Sequence, residues 1–298
     1  MNIYLDCIPC FLRQCLDAAR NTTEDIHLHE QVIREVLRLA ADLDLNRPPP
    51  WVGQIIHRRL RVLTGVEDPY RMAKSRFNQM AVSMLPEIRA VVKRDPHPLF
   101  AAARAAIAAN VIDLGVKSAL GESQARESLR DSCTADVYGD LNEFQRQVDE
   151  AREILYLADN AGEIVIDRLL IEELGPERVT LVVRGRPVIN DATIDDARAT
   201  GLHELTRVID NGSDAPGTIL DDCSADFLER FHKADLIISK GQGNFETLSE
   251  IDANIFFLLK VKCPVIAAHI GLPPGTQALV RGSKDRMLPD ETGYRRNP

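Results

Sequence analysis

A chain of 298 residues with 45% hydrophobic and 27% charged residues has the length of one large domain or two ordinary ones, and its globular composition excludes extensive disorder. The formal net charge of -9 provides no global positive field, so nucleic acid is not an expected partner. No apolar stretch approaches the roughly 18 residues of a membrane span and no signal peptide is evident, so we expect a soluble cytoplasmic protein with no membrane partner.

The first 150 residues have the periodicity of helices. Apolar residues recur every three or four positions in five segments, and prolines interrupt the pattern between several of them. We therefore predict an all-helical domain over residues 1–150. The predicted helices run from Phe11 to Ala19, Glu30 to Leu43, Val52 to Leu63, Pro69 to Val92 and Pro98 to Leu114.

After about Glu150 short apolar runs alternate with helical segments. This pattern predicts an α/β domain with a Rossmann-like, mostly parallel sheet over residues 151–280, and a frayed polar tail over 281–298. The predicted helices are Ile164 to Glu173, Ile194 to Ala199 and Ala225 to Lys233. The predicted strands are Ile154 to Ala158, Val179 to Val183, Glu204 to Ile209, Leu236 to Ser239, Ile255 to Leu259 and Val265 to Ala268.

Polar and glycine-rich segments follow four consecutive predicted strands. Ligands of open parallel sheets bind at the carboxyl ends of the strands, so these segments should meet at one edge. Each segment taken singly also fits a helix cap, a turn or a solvated lysine, and only their combination favours a site. They are D-N-A-G-E from Asp159, R-G-R from Arg184 with N-D-A-T from Asn190, D-N-G from Asp210, and K-G-Q-G-N from Lys240.

The residue types in these segments suit a metal ion and a phosphate group. Asp159, Asn160 and Asp191 offer the carboxylate and amide oxygens that a hard divalent ion takes, with positions left for water and substrate. Lys240 follows a strand and is accompanied by two glycines that permit close backbone approach, which fits a phosphate clamp. The hypothesis is therefore a metal and phosphate site at this edge of the sheet.

The succession D-N-A-G-E, N-D-A-T, D-N-G and K-G-Q-G-N-F-E resembles the metal-dependent damage-control phosphatases, also called protein-of-unknown-function family 89. The resemblance covers most of the chain. It implies a helical domain beside a Rossmann-like domain, in agreement with the change of periodicity. By this resemblance, Asp159, Asn160 and Asp191 match the metal ligands of the family, and Lys240 matches its active-site lysine.

The early pair Cys7 and Cys10 is similar to the branch of that family with an amino-terminal C-x-x-C pair, to which the resemblance assigns no function. The spacing suits zinc ligands, but no second C-x-x-C completes a structural zinc site. A redox or disulfide role and plain packing at the start of a helix are the other hypotheses. All three stay open at this point.

We predict hydrolysis of phosphomonoesters of small metabolites, sugar phosphates or damaged phosphometabolites, with Mg²⁺, Mn²⁺, Co²⁺ or Ni²⁺ as cofactor and the phosphorylated metabolite as partner. The helical half should close the site with Asn78, Asn110 and Asp113 facing the strand ends. The catalytic candidates are Lys240, Asp210 and Glu163, the phosphate-binding candidates are Gly162, Arg184, Asn244 and Asn110, and the metal-ligand candidates are Asp159, Asn160 and Asp191.

Two other classes of protein remain as alternatives. A Rossmann-like carboxyl methyltransferase is compatible with the α/β layout alone, and a non-catalytic protein could bind a metal or metabolite with the same residues. P-loop NTPases, serine hydrolases and zinc hydrolases are not supported, because the sequence lacks G-x-x-x-x-G-K-[ST], G-x-S-x-G and H-x-x-x-H.

Overall fold

The computed structural model of this chain describes residues 1–111 and 122–282. Asp113 and most of the expected tail lie outside these residues. Arg281, which was assigned to the tail, instead belongs to the last strand of the sheet. Within the described part of the chain, no helix is both long and apolar enough to cross a membrane.

The amino-terminal half is helical, as its apolar periodicity predicts. Proline in the first turn of α3 and of α5 suits a position where the backbone N–H has no helical acceptor, and the left-handed Gly65 ends α3. The helices are α1 (Cys7–Thr22), α2 (Ile26–Ala41), α3 (Pro49–Thr64), α4 (Arg71–Arg94), α5 (Pro98–Ala108), α6 (Glu122–Thr134) and α7 (Leu141–Glu150), with a single 3₁₀ turn at Ala109–Val111.

Strands and helices alternate in the carboxyl-terminal half, which confirms the α/β class. The strands are β1 (Val137–Tyr138), β2 (Ile154–Leu157), β3 (Val179–Val183), β4 (Arg207–Asp210), β5 (Leu236–Lys240), β6 (Ile255–Lys260) and β7 (Gln277–Arg281). The helices between them are α8 (Glu163–Leu174), α9 (Ile194–Ala199), α10 (Leu202–Leu205), α11 (Ala225–Lys233), α12 (Gly241–Leu248) and α13 (Pro264–Ile270).

These seven strands form one sheet in the order β1-β7-β6-β5-β2-β3-β4. Neighbouring strands are parallel except β6 and β7, which are antiparallel. From β2 the chain moves outward to β3 and β4, then returns to the other side of β2 with β5 and β6. This reversal leaves a crevice at the carboxyl ends of β2 and β5, where ligands of open α/β sheets bind.

Both faces of the sheet are covered, because alternate strand residues point to opposite sides. Ile154 and Tyr156 of β2 join a core cluster with α4, α5 and α8, whereas Leu155 and Leu157 join a second cluster with α11, α12 and α13. The first cluster is continuous across residue 150, so the division into residues 1–150 and 151–280 stays a prediction. Helices α1 to α3 enclose a third, smaller cluster.

Two of the predicted strands are wrong in whole or in part. Val265 to Ala268 lies in α13, which begins with a proline and ends at the left-handed Gly271. Periodicity cannot separate a short apolar run in a strand from one in a buried helix, and the strand on this side of the sheet is β7, which we did not predict. Glu204 to Ile209 also divides differently, because its first residues belong to α10 and β4 begins at Arg207.

Candidate active site

The candidate site lies at the crevice where the chain reverses direction. Asp159 and Asn160 follow β2, and Lys240 ends the neighbouring β5. The loop after β3 folds back toward β2, since Ala192 N donates to Asp159 O at 2.8 Å and Asn160 pairs with Asp191 in an isolated antiparallel bridge. The three metal-ligand candidates are thereby brought together, and all three are buried.

Arg184 lies between the carboxylates of two metal-ligand candidates, Asp191 and Asp159. Its Nε donates to Asp191 Oδ2 at 2.7 Å, and its Nη2 is 3.9 Å from Asp159 Oδ1, too far for a hydrogen bond. Arg184 is buried, and among the described residues its Nη2 has no hydrogen-bond partner. A buried donor without a partner is costly, which points to a ligand acceptor at this position.

Asn244, a phosphate-binding candidate, holds the strand ends together. Its amide donates to Lys240 O at 2.8 Å and to Ala158 O at 3.2 Å. Its Oδ1 accepts from Arg184 Nη1 at 3.1 Å and from Thr218 Oγ1 at 2.8 Å. Asn244 therefore fixes the orientation of the guanidinium rather than presenting a free amide.

Lys240 is fully buried and surrounded by acceptors. Its Nζ donates to Ala106 O at 2.9 Å, to Glu163 Oε1 at 2.5 Å and to Asp167 Oδ1 at 2.7 Å, which uses all three ammonium hydrogens. Burial by itself lowers the pKa of Lys240, but the charges of Asp167 and Glu163 outweigh it and raise the pKa above its ordinary value. The expected direct contact between Lys240 and a phosphoryl group is therefore not prepared here, because no hydrogen is left over.

Glu163 joins the lysine to the metal-ligand candidates. Its Oε2 accepts from Asn110 Nδ2 at 2.9 Å and from Asn160 Nδ2 at 3.2 Å. The same two amides donate to Asp159 Oδ2, at 3.1 and 2.9 Å respectively. One buried hydrogen-bonded network thus connects the ends of β2 and β5 with the end of the helical half.

The helical half reaches the site as predicted for two of the three residues named. Asn110 contacts Asp159, and Asn78 Oδ1 accepts from Gly162 N at 2.6 Å. Asp113 lies outside the described residues. This hydrogen bond also corrects the prediction that Gly162 binds phosphate. Its backbone N–H already has an acceptor in Asn78.

Asp210 is not brought into this network. It is exposed at the end of the edge strand β4, and its Oδ1 accepts from Gly212 N at 2.9 Å. This is the local turn that an Asp-Asn-Gly sequence forms by default. The ordinary turn interpretation therefore describes Asp210 better than the catalytic one.

Asp167 was not predicted from the sequence, and Gly241 was expected only to allow close backbone approach. Asp167 lies four positions after Glu163 in α8, so both carboxylates share one helix face, and this spacing was a usable signal. Gly241 has a left-handed φ of 76°, and a Cβ at this position would overlap the Asp159 carboxylate. No sequence signal shows that contact, because it joins the ends of two different strands.

Buried acidic side chains are concentrated in this network. Four of its carboxylates are buried, those of Asp159, Glu163, Asp167 and Asp191, and the most exposed of them is Asp159 at 9%. The buried cations are Lys240 and Arg184. We call these six residues the charge cluster. Burying several carboxylates close together is unfavourable, and a bound cation offsets that cost.

The donor set in the charge cluster fits a hard divalent ion. No three His, Cys, Asp or Glu side chains converge on a metal position within residues 1–111 and 122–282. Two carboxylates, those of Asp159 and Asp191, with the adjacent Asn160, instead match an ion that keeps several water ligands, as Mg²⁺ commonly does. The residues present therefore fit the metal that the family resemblance implies.

A cavity of about 1000 Å³ lies next to this site, between α4 and the segment that contains α9. Asn78, Lys74 and Asp196 form part of its wall, but no member of the charge cluster lines it. Asn78 is the link between the two, since it contacts both Gly162 and Asp196.

The point where a doubly wound sheet reverses its strand order, which is where this buried and charged site lies, is the usual ligand-binding position of α/β proteins. The chain matches the damage-control phosphatase ARMT1-like domain over residues 3–278. It belongs to this family, which confirms the resemblance seen in the strand-end motifs.

Relatives extend over nearly the whole chain. It is 36% identical over 288 residues to a damage-control phosphatase of Pyrococcus horikoshii, covering 94% of this chain and 98% of that protein. It is also 36% identical over 277 residues to a damage-control phosphatase of Archaeoglobus fulgidus, covering 90% and 95% respectively. A crystal structure of a family 89 protein from Pyrococcus horikoshii superimposes with a TM-score of 0.84 at 33% identity, over 95% of this chain and 100% of that one.

Proposed function

We propose that this protein is a divalent metal-dependent phosphatase that hydrolyses phosphomonoesters of small metabolites, such as sugar phosphates or damaged phosphometabolites. The observation that carries the proposal is the charge cluster, in which four buried carboxylates lie together at the edge of the sheet where ligands of this architecture bind. Membership in the damage-control phosphatase family supports the phosphatase class and does not favour the methyltransferase alternative. The metal dependence and the substrate class are our inference.

In this proposal Asp159 and Asp191 hold the ion with their carboxylates, and Asn160 completes the protein ligands. A divalent ion bound there polarises the phosphoryl group and orients the attacking water. Mg²⁺, Mn²⁺, Co²⁺ and Ni²⁺ are the candidates, because a set of carboxylate and amide oxygens discriminates weakly among them.

Arg184 is the residue we assign to the phosphoryl oxygens. Its Nη2 is the buried donor that lacks a hydrogen-bond partner, and its Nε is fixed on Asp191. Its Nη1 is fixed by donating to Asn244 Oδ1 at 3.1 Å. A donor fixed in this way needs no reorganisation when charge develops on the phosphoryl oxygens.

Lys240 acts as a positioning residue in this account. It holds Glu163 by a hydrogen bond of 2.5 Å, and Glu163 in turn orients the amides of Asn110 and Asn160. A direct contact from Lys240 to substrate would require exchange of one of its three present hydrogen bonds. We therefore assign the first contact with phosphate to Arg184.

A screen for release of inorganic phosphate tests the proposal. Sugar phosphates, nucleotides and phosphorylated cofactors are each assayed with the four divalent ions and with a chelator. We expect release that requires an ion, is lost in Asp159→Asn, and is retained in Asp226→Asn, in which the altered carboxylate is exposed on α11. Release that is independent of metal would contradict the mechanism, and ion binding without turnover of any substrate would favour the non-catalytic alternative.

A further inference from the structure

Three thiols lie together outside the charge cluster, where α1 and α13 meet the second core cluster. Cys7 and Cys10 belong to the first turn of α1, and Cys263 directly precedes α13. Cys7 and Cys263 both pack against the second core cluster. We call these three residues the thiol cluster. Neither the family assignment nor the proposed function gives it a role.

The members of the thiol cluster differ in accessibility. Cys10 is exposed, whereas Cys7 and Cys263 are partly buried. Burial, with smaller contributions from the nearby Glu246, Cys263 and Cys10, raises the pKa of Cys7 to about 11. Because Cys10 is the exposed thiol, it meets a reagent from solvent first. The thiolate is the form of cysteine that reacts.

The placement of Cys7 and Cys10 suits a disulfide between them. Residues three apart in a helix share one face, with Cβ atoms about 5–6 Å apart, and a disulfide requires about 3.5–4.5 Å. The remaining 1–2 Å, roughly, must come from tightening of a terminal turn, where several N–H groups lack helical acceptors. Asp6, the residue before the helix, makes no side-chain cap bond that such a movement would break.

Cys263 is less available as the partner of Cys10. Its Sγ accepts from Ile266 N at 3.4 Å and lies 3.7 Å from Gln242 Nε2, so it caps α13 and contacts α12. A metal site is not supported either, because no three ligating side chains converge within the described residues. A two-thiol reaction within the first turn of α1 is the chemistry that remains.

We propose that Cys7 and Cys10 are a reversible dithiol–disulfide site that exchanges with small disulfides such as oxidised glutathione. The Cys10 thiolate attacks one sulfur of the small disulfide, forms a mixed disulfide and releases one thiolate. The Cys7 thiolate then attacks the Cys10 sulfur, forms the Cys7–Cys10 bond and releases the second thiolate. The protein loses two electrons and two protons, and the small disulfide is reduced to two thiols.

The test treats the fully reduced protein with oxidised glutathione, blocks the remaining thiols by alkylation and maps all six cysteines by mass spectrometry. We expect an internal disulfide that joins Cys7 to Cys10 and is reversed by a dithiol reductant. Cys7→Ser should stop at one glutathione attached to Cys10. Cys263→Ser is the matched control and should form the same internal disulfide as the original protein.

Three results would overturn the proposal: six free thiols after the treatment, an internal disulfide that uses Cys263, or a mixed disulfide on Cys10 that persists while Cys7 is present. The change Cys10→Ser is at an exposed position and is not expected to disturb folding. In this variant Cys7 must remain unreactive toward oxidised glutathione, which is a further required outcome. None of these readouts depends on phosphatase activity, so the proposal stands or falls separately from the proposed function.

Discussion

Gly241 shows how a residue without a side chain can control the site. Its φ of 76° costs an alanine about 1–2 kcal/mol, and a Cβ would also overlap the Asp159 carboxylate. We expect Gly241→Ala to displace that carboxylate and weaken divalent-ion binding by about 10- to 100-fold, measured by calorimetry. Gly271→Ala is the matched control, because its φ is 78° and its Cβ would meet nothing within 4 Å. Equal ion affinity in the two variants would contradict this role of Gly241.

Lys240 has no solvent contact, so its main measurable contribution is to stability. Replacing it with Met leaves Glu163 and Asp167 buried without their counter-charge, and removing one partner of a buried ion pair costs about 3–5 kcal/mol. We expect this loss in the free energy of unfolding by urea. Lys233→Met, which removes an exposed ion pair on α11, should change stability little. If the Lys240→Met protein keeps its full stability, the three hydrogen bonds do not have the assigned importance.

At the scale of elements, the loop after β4 is attached to α3 through one carboxylate. Asp214 accepts from Gln54 Nε2 at 2.7 Å and Arg58 Nη2 at 2.6 Å, and also pairs with Arg61. Burial raises the pKa of Asp214, but the hydrogen bonds from Arg58 and Gln54 outweigh it and lower the pKa below its ordinary value. The same loop carries Thr218, which accepts from Arg184 Nη1 at 3.3 Å.

This attachment gives stability a specific pH dependence. A carboxyl whose pKa is lowered in the folded state stabilises the fold above its unfolded pKa of about 4 and loses that contribution as the pH falls through the folded value. Asp214→Asn should therefore be less stable by about 1–3 kcal/mol at neutral pH, because its partner Arg58 is half exposed, and should approach the original protein in acid. Urea unfolding across the acid range measures this. Two parallel stability curves would contradict it, and the exposed Asp226→Asn serves as the control.

How far the sequence predicts these features depends on whether a signal is local. The long periodic helix α4 and the short apolar strand β3 were predicted well because the apolar pattern of each is a property of one segment. Asp159 and Lys240 were located because each directly follows or ends a strand. The carbonyl of Ala106 and the hydroxyl of Thr218 carry no such signal, since they meet the site only through packing of distant segments. The strand predicted over the apolar run in α13 was wrong because the length of this run suits either a strand or a buried helix.

For the whole molecule, the buried carboxylates of the charge cluster link folding to ion binding. An ion that binds only the folded state stabilises it, by about 2.7 kcal/mol at a concentration 100 times its dissociation constant. We expect Mn²⁺ to raise the midpoint of thermal unfolding, a chelator to reverse the shift, and Asp159→Asn to abolish it. Asp226→Asn should keep the shift. Absence of any shift with all four candidate ions would remove the charge argument for a metal.

The most direct test of the account follows phosphate release on one preparation as purified, after exhaustive chelation and after the ion is restored. We expect release to disappear on chelation and to return with the ion. Asp191→Asn removes one of the two carboxylates proposed as metal ligands, and we expect this variant to stay inactive at saturating ion while it remains folded. Release that survives exhaustive chelation, or that proceeds at the original rate in Asp191→Asn, would contradict the assignment of this site as a metal-dependent phosphatase.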